Sequence, residues 1–455
     1  MPVAAHVMRH ARERPHRLAV RGPAGGLDYA ALAERVRGAA AHLRRRGAAP
    51  GALVALGLAD PVELVTAVLA ADLAGATPLV GDPAWDPARW ARVAGDAPVA
   101  VLVREPLPDA SRPLAGAVPD ADPAPSDLAW ACFSSGSTGR PRAVLRTRAS
   151  WTDSFPHLSE LAGIGGDDVV LVPGPLVSSL YAFAAVHSLA VGATALLAGG
   201  RPPASWVGEA TAVHTVPHRL PALLERPGRL RAAAVGGAAL PPGARGRARR
   251  AGVRLLAYYG ATELSFVAAD PDGHGLRAFP GVEIQVRGRD GDRPGEVWAR
   301  SPWLAEGYLA GADGPLRRDG DGWTTVGDLA EPYREGGVLR VRGRGDGAIQ
   351  TGGATVVPED VEEVLRTVPG VGDVVVIGAP HPELGAVVTA IVESAGSPPP
   401  RAALEATARA GLDAAQRPRR WYALPSLPRT PTGKPARALV AARLAGGDPE
   451  LRRLT

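Results

Sequence analysis

This chain of 455 residues has very little cysteine, methionine or aromatic content, and almost no lysine. One cysteine, Cys132, excludes an intrachain disulfide framework and a zinc site built on cysteines. The longest apolar stretch, Leu176 to Ala198, is interrupted by His187, Gly192 and several Ser and Thr residues. It reads as a buried helix leading into a strand, and no membrane span is expected. The N-terminus carries Arg9, Arg12 and Arg14 without a long apolar run, unlike a secretory signal, so a cytoplasmic protein is expected. Basic clusters at Arg44 to Arg46, Arg245 to Arg250 and Arg417 to Arg420 are short and lack interleaved aromatic residues. A formal charge of +5 is small for this length. The clusters therefore read as solvated surface, and no nucleic-acid partner is expected.

Of the 51 Lys and Arg residues, all but Lys434 are arginine. The planar guanidinium fork cannot replace a compact ammonium that must reach a reacting oxygen. Composition alone leaves two readings of Lys434 open: a functional residue, or a chance survivor on the surface.

The length predicts at least two domains. The first part alternates helix and strand patterns. Asp28 reads as a helix N-cap ahead of Leu32, Val36, Ala39 and Leu43, and Ala52 to Leu58 as a strand. Val62 to Leu73 reads as a helix, Asp86-Pro87 as a helix start, and Val99 to Val103 as a strand. This alternation predicts an α/β fold with a mostly parallel, layered sheet. Near residue 338 the texture changes. Strands are expected at Val338 to Arg342, Val374 to Gly378 and Val387 to Val392, and helices at Pro358 to Arg366, Ala402 to Ala410 and Ala436 to Leu444. These form a small α+β unit joined through Gly343-Arg344-Gly345-Asp346-Gly347, a non-helical segment suited to a hinge. The expected domains are 1–343 and 344–455, with the hinge near Asp346.

Five ordered segments carry the chemistry. After the strand Leu128 to Cys132 comes Phe133-Ser134-Ser135-Gly136-Ser137-Thr138-Gly139-Arg140-Pro141-Arg142, in which backbone amides and hydroxyls can converge on phosphate oxygens. No Lys-Ser or Lys-Thr follows its second glycine, so it is not the G-x-x-x-x-G-K-[ST] loop. Alone, it reads equally as a flexible Ser/Gly loop. Tyr258-Tyr259-Gly260-Ala261-Thr262-Glu263 follows a strand. Gly327-Asp328 comes next, then Gly343 to Gly353 leading into Pro358. Last is Pro431-Thr432-Gly433-Lys434.

In this order and spacing the chain resembles the ANL adenylating superfamily of acyl-CoA synthetases, adenylation domains and luciferases, from Leu27 to Lys434. The resemblance implies a large N-terminal domain of layered β-sheets flanked by helices and a small mobile C-terminal lid. It implies ATP, Mg²⁺ and coenzyme A, or the phosphopantetheine of a carrier protein, as the molecules used. Ser134, Ser135, Gly136, Ser137, Thr138 and Gly139 would cradle phosphates with Arg142. Gly236, Gly237 and Ala238 would line the adenine and acyl pockets, with Tyr258, Tyr259 and Gly260 beside them and Tyr259 stacked on adenine. Thr262 would contact the α-phosphate, and Glu263 would bind Mg²⁺ as a hard oxygen ligand. Asp328 and Arg344 would hold the ribose, and Gly352 and Gly353 would line the thiol tunnel. Lys434 would bridge the substrate carboxylate and the α-phosphate, where negative charge accumulates. The sole lysine falling on the motif's lysine removes the chance reading.

The chain departs from the family pattern where Arg142 and Ala143 replace a lysine and a glycine, Gly347 an aspartate, and Gln350 a lysine. Between Asp168 and Glu209 there is no carboxylate. Adenylation domains for amino acids place one there to pair with the substrate ammonium, so an acid without an anchored α-amino group is expected. Val177, Ser178, Ser179, Phe183, Val216, His218 and Ala239 are the expected pocket lining, suited to an uncharged acyl or aryl acid. His218 reads either as a partner for a ring substituent or as a packed or surface histidine. The leading expectation is an acid–CoA ligase. One alternative is a loader passing acyl-AMP to an acyl carrier protein in trans, or to an amine. The other is a catalytically silent nucleotide-binding module, which the presence of Lys434, Glu263 and Asp328 disfavours.

Overall fold

The computed structural model describes residues 3–455 except 89, 91–97, 109–123, 135–141, 242, 289–293, 313, 345–346, 348, 352–353, 383, 413 and 431–432. The described residues form two compact units: those up to Glu283 together with Ala299–Leu316, and Ile284–Trp298 together with Arg317–Thr455.

The first unit is built on two sheets. Its nine-stranded sheet runs in the order Arg277–Ala278, Ser265–Asp270, Arg254–Ala261, Ala232–Val235, Ala212–Thr215, Val169–Val172, Thr194–Leu197, Leu18–Gly22, Gly25–Asp28. The six strands from Arg254–Ala261 to Leu18–Gly22 are parallel, and antiparallel hairpins close both edges. A six-stranded sheet runs Gly307–Tyr308, Arg142–Thr147, Leu128–Ser134, Thr77–Val80, Leu53–Leu56, Val99–Val103. Helices Pro61–Leu73 and Ser179–Ala190 are buried on nearly every side, as expected of helices between two layers. Asp60 caps the first of these through the amides of Val62 and Glu63, at 2.8 and 3.0 Å. Asp28 caps helix Tyr29–Arg45 through Ala31 N, as its sequence position predicts.

One buried ion pair ties this unit together. Arg148 Nε donates to Asp72 Oδ1 at 3.1 Å, and Ala4 N donates to Oδ2 of the same carboxylate at 3.0 Å. Burial raises the Asp72 pKa above the usual carboxylate range, and Arg148 opposes that shift.

The second unit holds two six-stranded sheets. In one, Asp328–Ala330 pairs antiparallel with Val341–Arg344. The expected strand at Val338 to Arg342 therefore begins three residues later, and Val338 is an exposed apolar residue before it. In the other, Asp373–His381 pairs with Gly385–Glu393 along its full length, and Arg420–Leu424 joins in parallel. Helices Pro358–Leu365 and Arg401–Gly411 cover one face through Val361, Leu365 and Leu404. Helix Arg437–Ala445 covers the other through Val440. These elements match the expected α+β texture. Among the described residues no helix is long and apolar enough to cross a membrane.

Candidate active site

In parallel sheets, ligands gather outside the carboxyl ends of the strands, and the first unit places most of its predicted residues there. Gly236 and Gly237 follow strand Ala232–Val235. Tyr258 and Tyr259 lie within strand Arg254–Ala261 itself, so this motif forms the strand end and its hairpin. Two local requirements fix the backbone. A Cβ at Gly260 would come within 2.0 Å of the Ser265 carbonyl oxygen, so the bulge in this hairpin accepts only glycine. A Cβ at Gly236 would lie 2.2 Å from the Tyr258 ring, which rests directly on this residue.

Thr262 and Glu263 sit in the tight connection between Ala261 and Ser265, and three long-range contacts pin it. Arg146 Nη1 donates to Thr262 O at 2.8 Å. Ala305 N donates to Glu263 O at 2.9 Å. Ser179 Oγ and Thr262 Oγ1 lie 2.8 Å apart. Glu263 is buried at 3% exposure, and its Oε1 accepts the Tyr308 hydroxyl at 2.9 Å.

Arg146 and Tyr308 are absent from the residues the sequence singled out. Arg146 is buried, and that burial lowers its pKa to about 10. Its remaining donors reach Ser150 O and Trp303 O. The readable signal was an arginine directly after the apolar run Ala143-Val144-Leu145 within strand Arg142–Thr147. Tyr308 gave no such signal. It reaches Glu263 because strand Gly307–Tyr308 pairs with Arg142–Thr147, placing Tyr308 opposite Val144.

A Mg²⁺ ion arriving with a nucleotide needs one or two protein carboxylates, with phosphates and water completing its shell. The buried carboxylate of Glu263, oriented by Tyr308, fits that role. Among the described residues no group of three His, Cys, Asp or Glu side chains could hold a metal by itself.

The predicted phosphate loop at Ser135, Gly136, Ser137, Thr138 and Gly139 lies outside the described residues. Its ends, Ser134 and Arg142, are backbone partners in adjoining antiparallel strands. Of the expected pocket residues, Ser178 is buried and Ser179 joins Thr262. Phe183 is packed among Trp151, Phe155, His187 and Phe266, with ring centroids 5.1 to 6.0 Å apart. Ala238, Ala239 and His218 are exposed.

In the second unit, Asp328 is 8% exposed and is the backbone partner of Arg344. Asp346, Gly352 and Gly353 lie outside the described residues. Lys434 is exposed on a tight turn. Gly433, with φ 83°, donates its amide to Thr430 O at 2.7 Å, and Thr430 N donates to Lys434 O at 2.7 Å. Arginines anchor both sides of that turn. Arg429 Nη2 forks onto both oxygens of Glu393, at 3.0 and 3.1 Å, while its Nη1 reaches Asp373 and Gly433 O. Arg437 holds Glu359 and Glu362.

A layered α/β unit with hydroxyl, carboxylate and glycine residues gathered at its strand ends, followed by an α+β unit bearing a presented lysine, is the architecture of adenylate-forming enzymes. The chain belongs to the AMP-binding enzyme family: the family model matches residues 7–309, and the model of the AMP-binding enzyme C-terminal domain matches residues 360–434. An uncharacterized acyl–CoA ligase, YhfT, of Bacillus subtilis (strain 168) is 32% identical over 75% of this chain and 73% of its own length. The salicyl-AMP ligase / salicyl-S-ArCP synthetase of Mycobacterium tuberculosis (strain ATCC 25618 / H37Rv) is 30% identical over 93% of this chain and 87% of its own. The ATP-bound structure of MatB from Rhodopseudomonas palustris shares the fold. Its TM-score is 0.83 at 24% identity, covering 97% of this chain and 99% of that one.

Proposed function

We propose that this protein activates a carboxylic acid with ATP and transfers the acyl group to the thiol of coenzyme A. The supporting observation is the Thr262–Glu263 turn, held at the sheet's carboxyl edge by Arg146, Ser179 and Tyr308. In the first step a carboxylate oxygen attacks the α-phosphorus. The bond to the bridging oxygen breaks, and pyrophosphate leaves with that electron pair. The Thr262 hydroxyl and the Lys434 ammonium stabilise the charge that builds on the α-phosphate, an interaction worth most in the transition state. Mg²⁺, when bound beside Glu263, neutralises phosphate charge. In the second step a thiol attacks the acyl carbonyl of the mixed anhydride, and AMP departs.

We place the large domain at 1–343 and a lid at 344–455, turning near Asp346 so that Lys434 withdraws and Gly352-Gly353 approach the thiol. Asp328 and Arg344, adjacent in their sheet, hold the ribose. A specific observation favours a second acceptor: a relative 30% identical over most of the chain bears the name salicyl-S-ArCP synthetase. An acyl carrier protein in trans would present the same thiol arm as coenzyme A.

Pyrophosphate release with Mg·ATP, an acid panel, and coenzyme A present or omitted tests this reading. Acid-dependent release ending in an acyl-CoA supports it. Release that never yields the thioester moves the acceptor to a carrier protein or an amine. ATP binding without release under any acid would leave a silent nucleotide-binding module.

A further inference from the structure

We infer that the acid taken by this site carries a second anionic group, received by the guanidinium of Arg219 and the hydroxyl of Tyr181. This inference rests on the adenylating reading above and deepens it.

The argument starts at one end of helix Ser179–Ala190. Ser179 is tied to Thr262, so the first turn of this helix abuts the reacting centre. Ser178 occupies the N-cap position, yet its side chain makes no capping bond. Its Oγ is buried, at 4% residue exposure, without a partner. The helix is long enough, at 12 residues, to present a useful positive end to an anion.

One turn further on, Tyr181 is fully buried and its hydroxyl has no partner. Burying a hydroxyl unbonded costs about 1–3 kcal/mol, so this donor would gain from meeting a ligand acceptor. Its ring lies flat on Gly174, where a Cβ would come within 1.9 Å of it. The preceding residue, Pro173, accepts Arg219 Nη1 at 2.8 Å. The half-buried arginine is thereby fixed beside Tyr181, and it is the one charge opposing the upward shift of the Tyr181 phenol to about 12. Among the described residues no carboxylate pairs with Arg219, and none occurs in the sequence between Asp168 and Glu209. Asp168 itself is committed to Arg231 and Thr211.

The site is therefore rich in donors and carries a cation without a counter-ion. A guanidinium and a phenol hydroxyl together match a carboxylate better than a neutral oxygen. The Tyr258 ring covers Gly236 and meets Phe266 at 4.9 Å, and Phe266 meets Phe183 at 5.1 Å and Phe279 at 4.9 Å.

The test uses the full-length enzyme with Mg·ATP and coenzyme A. Initial rates are compared for malonate, succinate, glutarate and adipate, for propionate, butyrate, valerate and benzoate, and for monomethyl succinate. A dicarboxylate should give the highest kcat/KM, at least tenfold above the monocarboxylate of equal length and above the half-ester. Arg219→Gln keeps an amide donor for Pro173 O while removing the charge. It should raise KM for the dicarboxylate more than tenfold, leave KM for ATP unchanged, and narrow the gap to the monocarboxylate. Tyr181→Phe should act in the same direction by several-fold. Preference for benzoate or any monocarboxylate overturns the inference while sparing the adenylating reading. An equal loss in Arg219→Gln toward every acid does the same. Pyrophosphate release with none of these acids overturns both.

Discussion

The hydroxyl of Tyr308 donates to Oε1 of Glu263 across 45 residues of sequence, at 2.9 Å. The bond orients the carboxylate proposed to meet Mg²⁺ and leaves its other oxygen for the ion. Tyr308→Phe should therefore raise the Mg²⁺ concentration needed for half-maximal ATP–pyrophosphate exchange. A hydrogen bond to a charged group is worth about 1.5–3 kcal/mol, so the shift should be roughly 10-fold or more. An unchanged Mg²⁺ dependence would remove Glu263 from the metal role.

Lys434→Ala should lower acid-dependent pyrophosphate release by about 10²–10³-fold, the usual cost of losing one group that stabilises developing oxyanion charge. ATP binding, followed by calorimetry, should persist. Lys434→Arg should recover little, because the planar fork does not fit where an ammonium sits. Full activity in the arginine variant would contradict the assigned role.

Acid should unfold this protein through two buried histidines. His187 and His214 lie 5.7 Å apart between ring centroids, and burial holds their pKa values near 4 and 3. His187 Nε2 also meets Ser159 Oγ at 2.9 Å. Both stay neutral in the folded chain, whereas the unfolded chain takes up protons below about 6.5. Stability is thus complete above pH 6.5 and falls as pH drops toward 4, by about 2–3 kcal/mol per histidine at pH 4.5. Urea unfolding from pH 7.5 to 4.5 should show this slope, and His187→Gln with His214→Asn should flatten it.

Asp72→Ala should destabilise the first unit by about 3 kcal/mol, because it leaves buried Arg148 with only the half-exposed Asp127 carboxylate, 3.6 Å from Nη1. The double replacement Asp72→Leu, Arg148→Met should recover most of that loss. A single variant within about 1 kcal/mol of the parent in chemical denaturation would show that water already compensates the arginine.

Local signals made much of this molecule legible. Asp28 followed by an apolar face predicted its cap and helix, and Pro358 predicted the start of its helix. The adenylating motifs are short contiguous segments, so Thr262, Glu263, Asp328 and Lys434 could be named before any fold was known. What escaped depends on pairing between distant strands. Arg146 reaches Thr262 over 116 residues and Trp303 over 157. Tyr308 meets Glu263 only because a two-residue strand docks beside Arg142–Thr147. The Arg219–Pro173 contact likewise joins the ends of two neighbouring parallel strands. Strand Val341–Arg344 starts late because the turn before it leaves Val338 in solvent, where β-propensity has nothing to pack against.

The exposed turn that presents Lys434 has a practical corollary. Every other basic side chain in the sequence is a guanidinium or an imidazole, so this ε-amine is a chemoselective handle. An amine-directed reagent would mark one side chain, and protection of that side chain by a bound adenylate would read out occupancy of the site.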